Sequence, residues 1–259
     1  MTPLDYAYDM SYQDIHNWAQ RFGMQICCNW GMSLTEKTAR YSVNADVNVV
    51  VSEAGLALAK RFEADFDIPY LVGVPCLPES ESVLADMIRH QALSKHSDSF
   101  GFIKGNMAMK CDVSDALVSD TICNAGQDVS HRIDTHSIYS QAIKRVLIVG
   151  DWVMAASMRA SIEQVSEAYL IDIASFFGSK PSWCRMRDTF LGSEHDLRVC
   201  MRNGNYDVLI ADPLLALIPE AKQIEHIYAV HPAISSDLCK KDWNSCINIS
   251  TFTRRNNAF

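Results

Sequence analysis

The stretch Val146-Leu-Ile-Val-Gly-Asp151, within RVLIVGDWVMAASMRASIEQ (residues 145–164), reads as a buried strand turning into a helix. An apolar run of this length ending in glycine is the usual entry to a nucleotide-binding βα unit. A dinucleotide fingerprint, however, needs G-x-G-x-x-G so that backbone can approach a pyrophosphate without intervening Cβ atoms. Here Gly150 is followed by Asp151, Trp152, Val153, Met154 and Ala155. An aspartate repels phosphate and a tryptophan crowds it, whereas Asp151 is well suited to capping the helix. The stretch is therefore read as a structural βα turn.

The same grammar extends in both directions. Upstream, Ile15, Trp18, Ala19 and Phe22 recur at helical spacing before Gly23, and MQICC (24–28) follows as a strand. Ser33-Leu-Thr-Glu36 has the form of a capping box for a short helix reaching about Tyr41. VNVVVS (47–52) is a β-branched run suited to a parallel strand buried on both faces. A helix follows it, closed before Pro69, and YLVGVP (70–75) is the next strand. Residues 79–97 read as a helix, then a Ser/Gly-rich loop, then a second helical span at about 110–142. Downstream the pattern predicts a helix at 152–163, strand AYLIDIA, a helix from Ser193-Glu194, strand DVLIAD (207–212), a helical turn at 214–217 and strand HIYAV (226–230). The expected class is α/β: two Rossmann-like, doubly wound parallel-sheet domains, 1–78 and 143–259, joined by a helical bridge, 79–142. No tandem repeat is visible.

Composition narrows the function. The chain has 259 residues, 48% hydrophobic and 21% charged, with a net charge of -8. That balance argues against a nucleic-acid surface, which needs a dense basic stripe to displace counterions. No apolar run reaches the ~18 residues that span a bilayer, and the N-terminus has neither a basic start nor an apolar stretch. A soluble, cytoplasmic chain is expected. Nine cysteines, an odd number with no C-x-x-C pair, fit reduced thiols better than a disulfide framework.

No P-loop, G-x-S-x-G elbow or H-E-x-x-H occurs, which leaves histidines and cysteines as candidates. His231-Pro232 follows strand HIYAV at the carboxyl end of a parallel sheet, where ligands of open α/β sheets bind. Two readings stand: a ligand-facing imidazole, or one bonded to a nearby carbonyl beside a strand-ending proline. Asp134-Thr-His136 reads as a solvated pair or a cleft pair. Cys27 and Cys28, adjacent on a strand, point to opposite faces and do not readily share a metal. Cys76 is read as a buried thiol or a cleft residue, and Cys239 and Cys246 match no zinc spacing.

ADVNVVVSEAGLALAKRFEADFDIPYLVGVP, with its Glu63-x-x-Phe66-x-Ile68-Pro69-Tyr70 entry to a strand, resembles the second domain of nitrogenase component 1-type oxidoreductases. GMSLTEKTARYSVNAD resembles the helix preceding it. DTHSIYSQAIKRVLIVGD is similar to the segment leading into that family's third domain, and DVLIADPLLALIP and AVHPAIS look like its closing strands. The family includes the nitrogenase catalytic component, its cofactor scaffold and light-independent protochlorophyllide reductases.

The resemblance implies Rossmann-like domains, an iron–sulfur cluster or metal-tetrapyrrole guest, a sister component 1 subunit, and an ATP-dependent iron–sulfur reductase partner. It places Ser52, Glu53, Gly55, Gly150, His231 and Ser235 at strand ends lining an interdomain cleft, with His231 about where the family has a metal-binding histidine. The family's first domain, which carries cluster cysteines, is expected to lie upstream of Met1. Ser52 stands where nitrogenases place a cofactor-ligating cysteine, and a hydroxyl substitutes poorly for a thiolate at a soft site. Dinitrogen reduction is accordingly disfavoured. Two functions remain: an oxidoreductase subunit positioning a metallocluster or tetrapyrrole, and a non-catalytic relative serving as a small-molecule or subunit scaffold.

Overall fold

A computed structural model describes residues 9–31, 34–76, 78–94, 143–166 and 168–229. Helix α1 (Asp9–Arg21) is followed by an extended segment and α2 (Glu36–Tyr41). Then come β1 (Asn48–Val50), α3 (Leu56–Phe66), β2 (Tyr70–Val72) and α4 (Pro78–Ser94). The later part holds β3 (Lys144–Val149), α5 (Trp152–Val165), β4 (Tyr169–Ser175), β5 (Thr189–Phe190), α6 (Glu194–Gly204), β6 (Val208–Ala211) and β7 (Glu225–Tyr228). Two 3₁₀ helices, Pro213–Leu217 and Pro219–Gln223, join β6 to β7. Among the described residues, no helix is long and apolar enough to cross a membrane.

The class is α/β with parallel sheets. β1 and β2 form a two-stranded parallel sheet, and five parallel strands form another in the order β5-β4-β3-β6-β7. Counted from β3, that order is 3-2-1-4-5, the doubly wound arrangement whose direction reverses between β3 and β6. Both faces of this sheet are covered. Val146, Ile148, Ile171, Ile173, Val208 and Ile210 pack on the α5 side, whereas Leu147, Val149, Ala174, Leu209 and Ala211 pack with Leu197 and Met201 of α6. Burial on both faces is why these strands read as apolar runs, broken in β4 only by Asp172.

Several elements differ from expectation in ways that have physical reasons. Residues 24–28 form no ladder, so among the described residues the first sheet has two strands and not three. α2 is capped by Thr35: its Oγ1 accepts from Thr38 N at 3.1 Å, and Thr38 Oγ1 accepts from Thr35 N at 2.9 Å. A Thr-x-x-Thr pair thus does what Ser33 and Glu36 were expected to do. α3 stops at Asp67, left-handed at φ 57°, two residues before Pro69. β5, only two residues long, had no legible pattern. Of the expected bridge, α4 is described and packs on β2 and α5, whereas the span at 110–142, with Asp134 and His136, lies outside the described residues.

α5 joins the two sheets. Val50, Tyr70, Val72 and Val74 from the smaller sheet share one apolar cluster with Trp152, Ala155, Ala156 and Ile162 of α5 and with β3 and β4. On the smaller sheet's other side, Leu71 packs with Trp18, Leu84, Ile88 and Ala160 of α5. A helix so enclosed must satisfy its polar side chains internally. Ser157 Oγ donates to Val153 O and accepts from Val74 N at 3.0 Å, and Ser161 Oγ donates to Ser157 O.

Arg159, fully buried, pairs with Asp188 at 2.6 Å, and both side chains are 1% exposed. Asp188 also accepts from Ile173 N and Arg185 N. Removing one member of such a pair strands a buried charge. Asp188→Ala should therefore lower stability by about 3–5 kcal/mol, measured by urea unfolding, and an unchanged midpoint would refute the role assigned to this pair.

Candidate functional site

The carboxyl ends of the parallel strands carry the candidate residues. Gly150 closes β3 at the point where the strand order reverses, its N–H donating to Ala174 O at 3.2 Å. Among the described residues, a Cβ placed on Gly150 would meet nothing within 4 Å, so this strand tip is open with respect to them. Opposite it, at the end of β6, is Asp212, fully buried, whose Oδ1 accepts from Leu214 N at 3.0 Å. The reversal point of an open parallel sheet is where its ligands bind.

This opening is not built for phosphate. Asp151 Oδ1 accepts from Val153 N at 2.9 Å and Met154 N at 3.2 Å. Those amides are the donors that a pyrophosphate would use at a helix N-terminus. The chain's own carboxylate occupies them, and its charge repels a second anion.

At the tip of β1, Ser52 is 4% exposed, and among the described residues its Oγ has no hydrogen-bond partner. Ser52 O accepts from Gly55 N at 3.1 Å, starting the 3₁₀ turn Glu53–Gly55 that leads into α3. Glu53 reaches across to the loop after β4, where Oε1 accepts from Ser179 N at 3.4 Å. Gly178 makes that approach feasible. Its φ is +61°, and a Cβ there would lie 2.0 Å from Glu53 Oε2. Burial pushes the Glu53 carboxyl above the usual carboxylate range, and the Ser179 amide partly offsets this. Cys184 belongs to the same neighbourhood, packed on the apolar cluster around α5. Burial is the main cause that takes its thiol up to about 12, with the Asp188 charge next and Glu53 adding a smaller push.

Of the six residues expected at strand tips, Ser52, Glu53, Gly55 and Gly150 stand at the ends of β1 and β3. His231 and Ser235 lie outside the described residues, as do Cys239 and Cys246. Cys76 resolves to a buried thiol: its Sγ donates to Val74 O at 3.4 Å and burial takes it up to about 12. Sequence reasoning missed Asp212, Gly178 and Cys184. The Asp-Pro at the end of DVLIAD was the available signal for Asp212, whereas nothing local marks a glycine whose partner is 125 residues away. The gap expected between the two sheets is filled along α5 by apolar side chains, leaving polar and open features at the strand tips.

The described donors do not fit a resident iron–sulfur cluster. Among these residues, no three His, Cys, Asp or Glu side chains converge to hold a metal ion. Ser52 offers a hydroxyl, and burial raises the thiols of the buried Cys76 and the half-buried Cys184 to about 12, away from the thiolate a soft metal needs.

No family model matches the chain, and no curated protein does. Among solved structures it is similar to nitrogenase Cp1 at pH 6.5, with 13% sequence identity and a TM-score of 0.48. The match covers 90% of this chain and 51% of that one, so the chain spans about half the length of the structure it resembles. No residue role is carried across at this level of likeness.

The raised carboxyl of Glu53 has a testable sign. The native state holds its proton more tightly than the unfolded chain does, so this group's contribution is fully present below the ordinary glutamate range. It is lost as pH rises through the native value. Glu53→Gln, which cannot ionise, should match the parent below pH ~4 and become the more stable of the two toward neutrality. Denaturation midpoints across pH check this, and parallel curves would contradict it.

Proposed function

We propose that the chain is a nitrogenase component 1-like oxidoreductase subunit, or part of one, that positions a reducible guest at its strand tips. The observation that carries this reading is the opening above Gly150 at the reversal point, which the Asp151 cap denies to nucleotides. The sequence resemblance supplies the chemistry. Electrons come from an ATP-dependent iron–sulfur partner, and a sister component 1 subunit completes the assembly.

Of the two guests that the resemblance implies, a metal-tetrapyrrole suits the described residues better than a metallocluster. A macrocycle is held largely by shape and apolar contact, with few polar groups fixing its orientation. Gly150 leaves room for it, Ser52 and Glu53 offer a hydroxyl and a carboxyl, and Gly55, His231 and Ser235 would complete the lining, with His231 as the metal's imidazole. When bound, such a guest supplies the reducible centre. This chain's residues orient it and keep water away, and Glu53, whose carboxyl burial raises, is the group among them that keeps a proton more readily than an ordinary carboxylate.

A second reading, a non-catalytic scaffold, draws on the apolar seam around α5, in which side chains of both sheets share one cluster with that helix. Anaerobic purification with iron and sulfide analysis, followed by titration with zinc protoporphyrin, separates the two. The first reading expects saturable one-to-one binding, weakened roughly tenfold or more by Gly150→Leu, which fills the open tip. Absence of porphyrin binding in the parent would favour the scaffold, and bound iron with sulfide would return the assignment to a cluster.

A further inference from the structure

Residues 24–28 belong to neither a helix nor a ladder. Met24 and Ile26 pack toward the cluster containing Trp18 and Leu71, whereas Gln25 is exposed. Over residues 24–26 that is the alternation of a half-buried strand, and Cys27 and Cys28 beyond it are both half-buried. Its Gly23 hinge has φ +70°, and Met24 N donates to Ala19 O at 2.8 Å. Among the described residues, residues 25–28 make no backbone hydrogen bond with β1.

β1 is open on the side that faces this segment. Asn48 N donates to Pro69 O and Val50 O accepts from Gly73 N, so residues 48 and 50 of β1 face β2. In a parallel ladder, successive residues address opposite neighbours. The N–H and C=O of Val49 therefore point away from β2, and Val49 is 36% exposed. A cavity of about 660 Å³ lies here, lined on one side by residues 24–31 and on the other by residues 44–51, and it reaches Gly55 beyond the tip of β1. Asn48 lines it too, and its Nδ2 is buried without a partner.

We propose that residues 24–28 form a strand lid, which moves onto the open side of β1, pairs with Val49 and closes this cavity beside the strand tip. The connection fits. From residue 28 to β1 the chain passes through α2, a crossover of the length that a parallel pair requires. Docking gives Val49 its ladder bonds and brings carbonyls within reach of Asn48 Nδ2. It completes a three-stranded sheet from the segment whose alternation already matches. The inference goes beyond the proposed function and does not depend on it.

Amide hydrogen exchange on the full chain tests the lid at Val49, whose N–H has no other described acceptor. In the docked form this amide exchanges at least roughly tenfold more slowly than an exposed amide. Gln25→Pro and Ile26→Pro then discriminate, because only one of two successive residues can donate to β1. One of the two should release the Val49 amide and the other should not, with exchange in β3 unchanged in both as the check on folding. Free exchange of Val49 in the parent chain overturns the proposal. So does a protected Val49 that neither proline affects, since another segment would then occupy β1.

Discussion

The fold depends on the burial of α5, a helix enclosed on every side by other parts of the same chain. A helix in that position cannot leave polar groups to water, so each serine and the one arginine along it must find a partner inside. The bond from Val74 N to Ser157 Oγ is the direct outcome. It ties the chain just past β2 to the helix that lies against β3 and β4, and it does so where the two sheets share one apolar cluster. The Arg159–Asp188 pair repeats the arrangement on the opposite flank, fixing the loop that runs into β5. An apolar pair would pack as well and avoid burying charge. The ionic version adds direction, because Asp188 at once receives the amides of Ile173 and Arg185.

What α5 does for the core, Glu53 does for the strand tips. It is the side chain through which the end of β1 touches the loop after β4, and it reaches that loop only because Gly178 has no side chain. The candidate site is thus closed on one flank by a carboxylate that burial has made reluctant to ionise. On the other it opens above Gly150. The Asp151 cap shows how one residue decides what such an opening accepts: the common βα turn becomes unreceptive to phosphate without any change in backbone path.

How much of this was legible in the sequence follows from the range of each interaction. The strands of the larger sheet were legible because burial on both faces writes a continuous apolar run into 146–149 and 208–211, and one broken only by Asp172 into 171–174. Asp151 and Ser193 were legible as caps because a cap acts within three residues. The Glu53–Gly178 contact was not, since neither residue carries a local sign of the other, and neither was the partner of Arg159. The segment 24–28 reads as a strand by its alternation and lacks only the ladder, which depends on where β1 lies and not on its own residues. At the start of α2, two threonines do the work expected of a serine and a glutamate, since hydroxyls in that register accept and donate equally well.

Every described ladder is parallel, and this governs the order in which the molecule can assemble. No hairpin offers a quick, local nucleus, so each pairing waits for a long excursion of chain to return. β3 lies at the centre of its sheet, yet it is synthesised before both of its neighbours. A nascent polypeptide therefore leaves the ribosome with one edge of its central strand unpaired until Val208–Ala211 has been made. Such a chain folds late and as a whole, and its synthesis is the period in which a chaperone matters most.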